Sequence, residues 1–206
     1  MLALKLKSLV LVTSLLFIGC GGGENVAPQS QKNTVDISKI TNQQILMAIN
    51  EARSEARDCH DGAGIVGPAR PLTWNQNLYE AAYEHSYDLA NSNTFSHEGS
   101  GTQYDITGFN NGVASLFNER IASNGYVDFR AIGENIAGGQ TSLAEVIQEW
   151  LDSPLHCANI MREDFAEVGV AIVVNPNSDY KVYWSQEFGA KKVRLAMEKN
   201  EPKEAQ

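Results

Sequence analysis

The side chains of this sequence best suited to move a proton or ligate a metal near neutral pH are its four histidines, His60, His85, His97 and His156. Their settings differ. His60 lies in a Cys/Asp/Gly loop, whereas His85 falls on the apolar stripe of a predicted helix, where a histidine is packed and hydrogen-bonded rather than reactive. His97 follows Phe95-Ser96 and His156 follows Ser153-Pro154-Leu155, both at segment ends, where sites are usually built. His97-Glu98 begins like a zinc-protease helix, but position 101 is glycine and not a second histidine, so that motif fails. The sequence has no Gly-x-Ser-x-Gly elbow and no phosphate loop.

The three cysteines divide by position. Lys5 and Lys7, an apolar run from Leu9 to Ile18, and Gly19-Cys20 followed by three glycines predict an export signal over residues 1–20. The run is shorter than the roughly 20 residues of a spanning helix, which makes a permanent transmembrane anchor the weaker reading. Phe17-Ile18-Gly19-Cys20 resembles the bacterial lipoprotein box, with Phe17 where leucine is usual. That resemblance implies lipidation at Cys20 and a lipid-anchored chain in the bacterial envelope; a periplasmic or secreted product of simple cleavage is the alternative. Export exposes the remaining thiols, Cys59 and Cys157, to an oxidising compartment, where an even pair is first of all a disulfide. A nucleophilic Cys157 beside His156 is the competing reading.

Charge narrows the partners. Sixteen Lys and Arg against 25 Asp and Glu give a net of -9, and about -11 once the signal lysines are removed. Such a chain gains nothing from counterion release on a phosphate backbone, so nucleic acid is not an expected partner. Anionic lipid surfaces repel it on average, and membrane association is expected only through the lipid anchor.

The elements that must position these side chains can be read from periodicity. Residues 21–40 are polar and aperiodic, a flexible linker. Thr41-Asn42-Gln43-Gln44 is a capping-box pattern that opens a predicted helix over 41–57, with Ile45, Ile49, Ala52 and Ala56 on one side. A Gly- and Pro-rich loop leads to a second helix over about 75–91, whose stripe is Leu78, Ala81, Ala82, His85 and Leu89. Gly99, Gly101, Gly108, Gly112 and Asn110-Asn111 predict an irregular loop ahead of a helix carrying Leu116, Phe117, Arg120 and Ile121, which stops at Gly125. Ser142 to Glu145 caps a helix presenting Leu143, Val146, Ile147, Trp150 and Leu151, ended by Pro154. Alternation over 168–174 and again from Tyr180 to Phe188, around the Asn175–Asp179 turn, predicts a β-hairpin. Helices covering an antiparallel sheet make the fold class α+β. Residues 191–206 read as a charged, solvated tail.

The ordered series Pro71-Leu72-Thr73-Trp74, Phe95-Ser96-His97, Arg120-Ile121 with Gly125-Tyr126, Gly133-Glu134-Asn135-Ile136-Ala137, Trp150 to His156, Asn159-Ile160, Val168-Gly169-Val170 and Tyr183-Trp184-Ser185-Gln186 resembles the CAP superfamily. These are the cysteine-rich secretory, antigen 5 and pathogenesis-related proteins, here in the bacterial SCP-like form. The resemblance runs from about Thr41 to Gly189 and gives a CAP domain over 41–190. It implies a three-layer α-β-α sandwich with a central antiparallel sheet, and a cleft lined by His97, Glu134 and His156. The family's second acid is absent: Ser153 stands three places after Trp150, and Asp152 or Glu149 is the nearest substitute.

Two neutral imidazoles and a carboxylate can hold a zinc ion with water in the fourth position, so His97 and His156 are the metal ligands to test. Without metal, the same trio makes a hydrogen-bonded polar cluster, with Glu134 tying down a glycine-rich loop. Two functions follow. One is an exported binding or interaction module that takes a lipid, another apolar ligand or a cell-surface partner in a His/Glu cleft. The other is a metal-dependent hydrolase using His97, Glu134 and His156.

Overall fold

The computed structural model describes residues 37–193. The predicted signal, Cys20, most of the linker, and the tail from residue 194 lie outside the described residues. After a 3-10 turn at Ile37–Lys39, α1 (Asn42–Arg53) starts at the expected capping box: Thr41 accepts from the Gln44 backbone N–H, and the Gln44 side chain answers to the Thr41 N–H. It ends earlier than the periodicity suggests, because Arg57–Asp58 forms β1, paired antiparallel with β2 (Ile65–Val66). The run Gly62-Ala63-Gly64-Ile65-Val66-Gly67 has Gly-x-Gly-x-x-Gly spacing, yet it forms β2 and turns into Pro68, so no helix opens behind it to bind a phosphate.

β3 (Thr73–Trp74) leads into α2 (Gln76–Ser92), capped by the Asn75 side chain and closed by Asn93 in the left-handed region. The glycine-rich loop contains a short α3 (Ile106–Asn111), capped by Asp105, before α4 (Phe117–Ser123). The Gly-Glu-Asn segment, to which the periodicity assigns no element, is the centre of a long strand, β4 (Phe129–Gly138). Pro154 does end α5 (Leu143–Asp152), but it also occupies the first turn of α6 (Pro154–Met161), where its missing N–H costs nothing. The predicted hairpin is β5 (Glu167–Val174) and β6 (Val182–Lys191).

The main sheet has the order β3-β5-β6-β4. Its three long strands are antiparallel, as expected, while the two-residue β3 joins β5 in parallel. Period-2 alternation divides the strands between two helical layers. Val168, Val170, Val182, Trp184 and Phe188 pack against Ile45 and Ile49 of α1, Val146 and Trp150 of α5, and Ile160 of α6. On the opposite face α2 lies so close that a side chain at Gly169 would meet the backbone of Leu78 and Tyr79, so glycine is required there. The architecture is the three-layer sandwich. Because both faces of β6 are covered, its polar residues Ser185, Gln186 and Glu187 are all buried.

β4 is the sheet's edge, and its outward carbonyls are capped by side chains: Asn159 Nδ2 donates to Glu134 O at 3.1 Å, and Trp150 Nε1 donates to Ile136 O at 3.2 Å. Cys59 and Cys157 form a disulfide across a sequence separation of 98, so Cys157 is not a free nucleophile. The bond fastens the loop after α1 to α6. A Cys59→Ser/Cys157→Ser double variant is expected to lose up to about 4 to 5 kcal/mol in urea unfolding from the loop entropy returned to the unfolded chain. A loss below about 1 kcal/mol would contradict that account.

Candidate functional site

Glu134 of β4 stands directly opposite Glu187 of β6. Both side chains point to the α2 side of the sheet, and the two residues are only 7% and 0% exposed. Two adjacent buried carboxyls cannot both ionise cheaply, so their partners decide which one does. Glu134 Oε1 accepts from His97 Nδ1 at 2.7 Å, and Oε2 accepts from Arg120 Nη2 at 2.7 Å. His85 Nε2 lies 3.7 Å from Oε2 and pairs with Ser96 O at 3.0 Å. The carboxyl oxygens of Glu187 meet no N–H or O–H donor among the described residues.

One guanidinium therefore faces two carboxyls. Burial opposes a charge on Glu134, but His85, the His97 hydrogen bond and Arg120 outweigh it and hold this carboxyl below the ordinary carboxylate range. Burial, and then the charge on Glu134, push Glu187 well above that range. Glu187 accordingly keeps its proton and donates it in a hydrogen bond to Glu134. Burial pushes His85 down to about 4 against the pull of Glu134, so its charge supports the Glu134 carboxylate only in acid, and at neutral pH His97 and Arg120 hold it.

His97 is the accessible member, its side chain 55% exposed. Its hydrogen bond to Glu134 raises its pKa against the opposing effect of burial. With Nδ1 committed to Glu134, Nε2 is the nitrogen left for a ligand. His156 is half-buried on α6, and burial followed by the nearby His97 lowers its pKa, with Glu149 acting in the other direction. Of the two substitutes for the missing acid, Glu149 is thus the one near His156, and it accepts from Gln140 Nε2 at 2.5 Å. Asp152 pairs instead with Gln148 on an exposed helix surface. His60 is exposed and contributes nothing to this cluster; its nearest acid is Asp58, 3.7 Å away.

Each histidine is held by its own fastening. Arg120 donates to His97 O at 2.9 Å and to Ser115 O and Oγ at 3.1 and 3.0 Å, while Asp105 accepts from Ser115 N and Oγ, which secures the glycine-rich loop. Asn135 Nδ2 donates to His156 O at 3.2 Å, and the disulfide fixes the next residue. His85, Arg120 and Glu187 join the cluster without having been singled out for it from sequence. The one available signal was a carboxylate, Glu187, inside a strand covered on both sides.

The described residues do not assemble a three-ligand zinc site. Both Glu134 oxygens and His97 Nδ1 are already bonded, and no group of three His, Cys, Asp or Glu among the described residues is arranged to hold a metal. Of the expected ligand set, Glu134 spends both oxygens on Arg120 and His97, which leaves His97 Nε2 and His156 as the donors not committed to it.

Residues 46–188 match the model of the cysteine-rich secretory protein (CAP) family. The chain is 28% identical over 121 residues to the YkwD protein of Bacillus subtilis, covering 58% of this chain and 39% of that one. It is 31% identical over 117 residues to the membrane protein YlbC of the same organism, covering 57% and 28%. The match thus spans well under half the length of these relatives. An extracellular SCP-domain protein of Bacillus anthracis superposes with a TM-score of 0.52 at 27% identity, covering 73% of this chain and 40% of that chain. An outer surface protein of Borrelia burgdorferi has the same fold, with a TM-score of 0.52 at 20% identity, covering 74% and 97%.

The shared proton has a measurable consequence. Unfolded, Glu187 ionises at about pH 4.3; folded, it stays protonated, so the native state holds the extra proton and stability falls as pH rises above that value. In Glu187→Gln the replacement amide cannot ionise and still donates to Glu134. Urea unfolding should find parent and variant alike at about pH 4, and the variant more stable at pH 7 by about 1.4 kcal/mol for each tenfold change in the proton affinity of Glu187 on folding. A variant less stable than the parent at pH 7 would contradict the shared proton.

Proposed function

Because the chain belongs to the cysteine-rich secretory protein family, we propose that it is an exported binding module whose cleft takes its ligand between His97 and His156, without a catalytic metal. One observation carries this reading: Glu134 spends both oxygens on His97 and Arg120, so the family acid acts as a frame for the cleft and not as a ligand or base. An imidazole held this way offers Nε2 as a fixed hydrogen-bonding group. Each histidine also has an exposed apolar companion in sequence, Phe95 at 43% and Leu155 at 75% exposure. Apolar surface beside two polar nitrogens suits an amphiphilic lipid or another apolar ligand with a polar head.

The location is proposed on the same terms. The lipoprotein-like Phe17–Cys20 segment supports export and a lipid anchor at Cys20. The Bacillus anthracis relative is described as extracellular, which agrees with export. Among the described residues no helix is long and apolar enough to cross a membrane.

The metal-dependent hydrolase is the weaker reading, since it requires the carboxylate that Arg120 and His97 already hold. Solvent extraction and mass spectrometry of the purified chain should recover an amphiphile that is lost from a Phe95→Ser/Leu155→Ser variant. Zinc titration should give the same weak response for the parent and for a His97→Ala/His156→Ala variant. Stoichiometric zinc binding that disappears in the double-histidine variant, with no extractable amphiphile, would favour the hydrolase and overturn the proposal.

A further inference from the structure

We propose that the outer face of α2 is a second binding surface, independent of the cleft, for a neutral linear polysaccharide. Tyr79, Tyr83 and Tyr87 recur every fourth residue and so lie on one stripe of the helix. Trp74 extends the row at one end and Tyr104 at the other. Successive ring centroids are 5.9, 6.3, 6.2 and 6.1 Å apart, and the three helix tyrosines are tilted by only 29° and 25° from one to the next. Tyr83 is 44% exposed and the other four are partly exposed. The core is served by the opposite side of the helix, through Leu78, Ala81, Ala82 and Leu89. A single exposed aromatic residue is ordinary; a continuous row of four tyrosines, with Trp74 at its end packed against the core, is the kind of surface that marks a ligand site.

Charge and hydrogen-bonding chemistry select the ligand. Exposed aromatic rings stack on flat partners, which include nucleic-acid bases, proline rings and sugar rings. The sequence contains no Lys or Arg between Arg70 and Arg120, so the elements that carry the row have no cation for a phosphate or sulfate. Glu80, exposed and bonded to Gln76 Nε2 at 2.6 Å, adds a negative charge beside it. Anionic polymers are therefore repelled. The polar groups of these elements, namely the Glu80 carboxylate, the amides of Gln76, Asn91 and Gln103 and the tyrosine hydroxyls, offer both acceptors and donors. A proline-rich helix, without N–H groups, can use only the donors among them and leaves the Glu80 carboxylate unmatched. A sugar ring has both a flat C–H face for each aromatic ring and hydroxyl donors around its rim, repeated along the chain.

The surface can be tested on the full chain by calorimetric titration with cellohexaose and chitohexaose, with heparin and a polyproline peptide as the other arms. Saturable binding to at least one neutral oligosaccharide is expected. Tyr83→Ala should weaken it about fivefold, the scale of one aromatic stacking contact, and Tyr83→Phe, which keeps the ring, should restore affinity. Because Tyr83 is exposed, an unchanged urea midpoint verifies that the variants are folded. Binding only to heparin or only to polyproline, no binding in any arm, or neutral-sugar binding untouched by Tyr83→Ala would each overturn the proposal. None of these outcomes bears on the amphiphile in the histidine cleft, so the two readings fail separately.

Discussion

The contact between Arg120 and Glu134 is the constraint around which the rest of the site is arranged. A guanidinium and a carboxylate, each almost without solvent, meet at 2.7 Å between α4 and the edge strand β4. Desolvating both charges is expensive, and further hydrogen bonds offset it: Arg120 also holds His97 O and Ser115 through its two Nη atoms, and Glu134 also holds His97 Nδ1. Once that single positive charge is assigned to Glu134, the facing Glu187 has no cation left and must be neutral. The protonation of the whole cluster follows from counting one guanidinium against two carboxyls.

The same contact explains how the two histidine-bearing segments are fastened at a sheet edge. His97 arrives from the loop after α2, on one side of the sheet, and His156 from α6, on the other. Arg120 pins the first through its backbone carbonyl, while Asn135 and the Cys59–Cys157 bridge pin the second. Both histidines are thus fastened through their backbone carbonyls. The cluster that looks like a reaction centre in sequence is therefore largely structural beneath its surface, with His97 Nε2 and His156 as its outward-facing chemistry.

Much of this was legible in the residues. The Thr41 capping box, the stripe of α2, the cap and stripe of α5 and the alternation of β5 and β6 each follow a local rule, and each element formed where that rule put it. The disulfide followed from compartment and parity. The failures have physical causes. β4 was hidden because Gly133, Glu134, Asn135 and Gly138 break an apolar alternation, and only pairing with β6 makes the segment extended. α6 was hidden because Pro154 reads as a stop, although at a first helical turn it is a start. His97, Glu134 and His156 were named through the family resemblance, whereas Glu187 required the strand register: a carboxylate in an alternating strand is ordinarily assigned to solvent, and here the second face is covered by α2. Arg120 was visible as a helix residue, but nothing local says that a guanidinium in that stripe is buried against an acid from another element.

The central claim is that Glu134 carries the charge and Glu187 the proton. Side-chain carboxyl carbon-13 NMR, with the two resonances assigned through Glu134→Gln and Glu187→Gln, reads this directly across a titration from acid to neutral pH. The account predicts that Glu134 remains ionised below the range of an ordinary glutamate while Glu187 stays protonated well above it. Two carboxyls that both ionise in the ordinary range, at about pH 4.3, would contradict it.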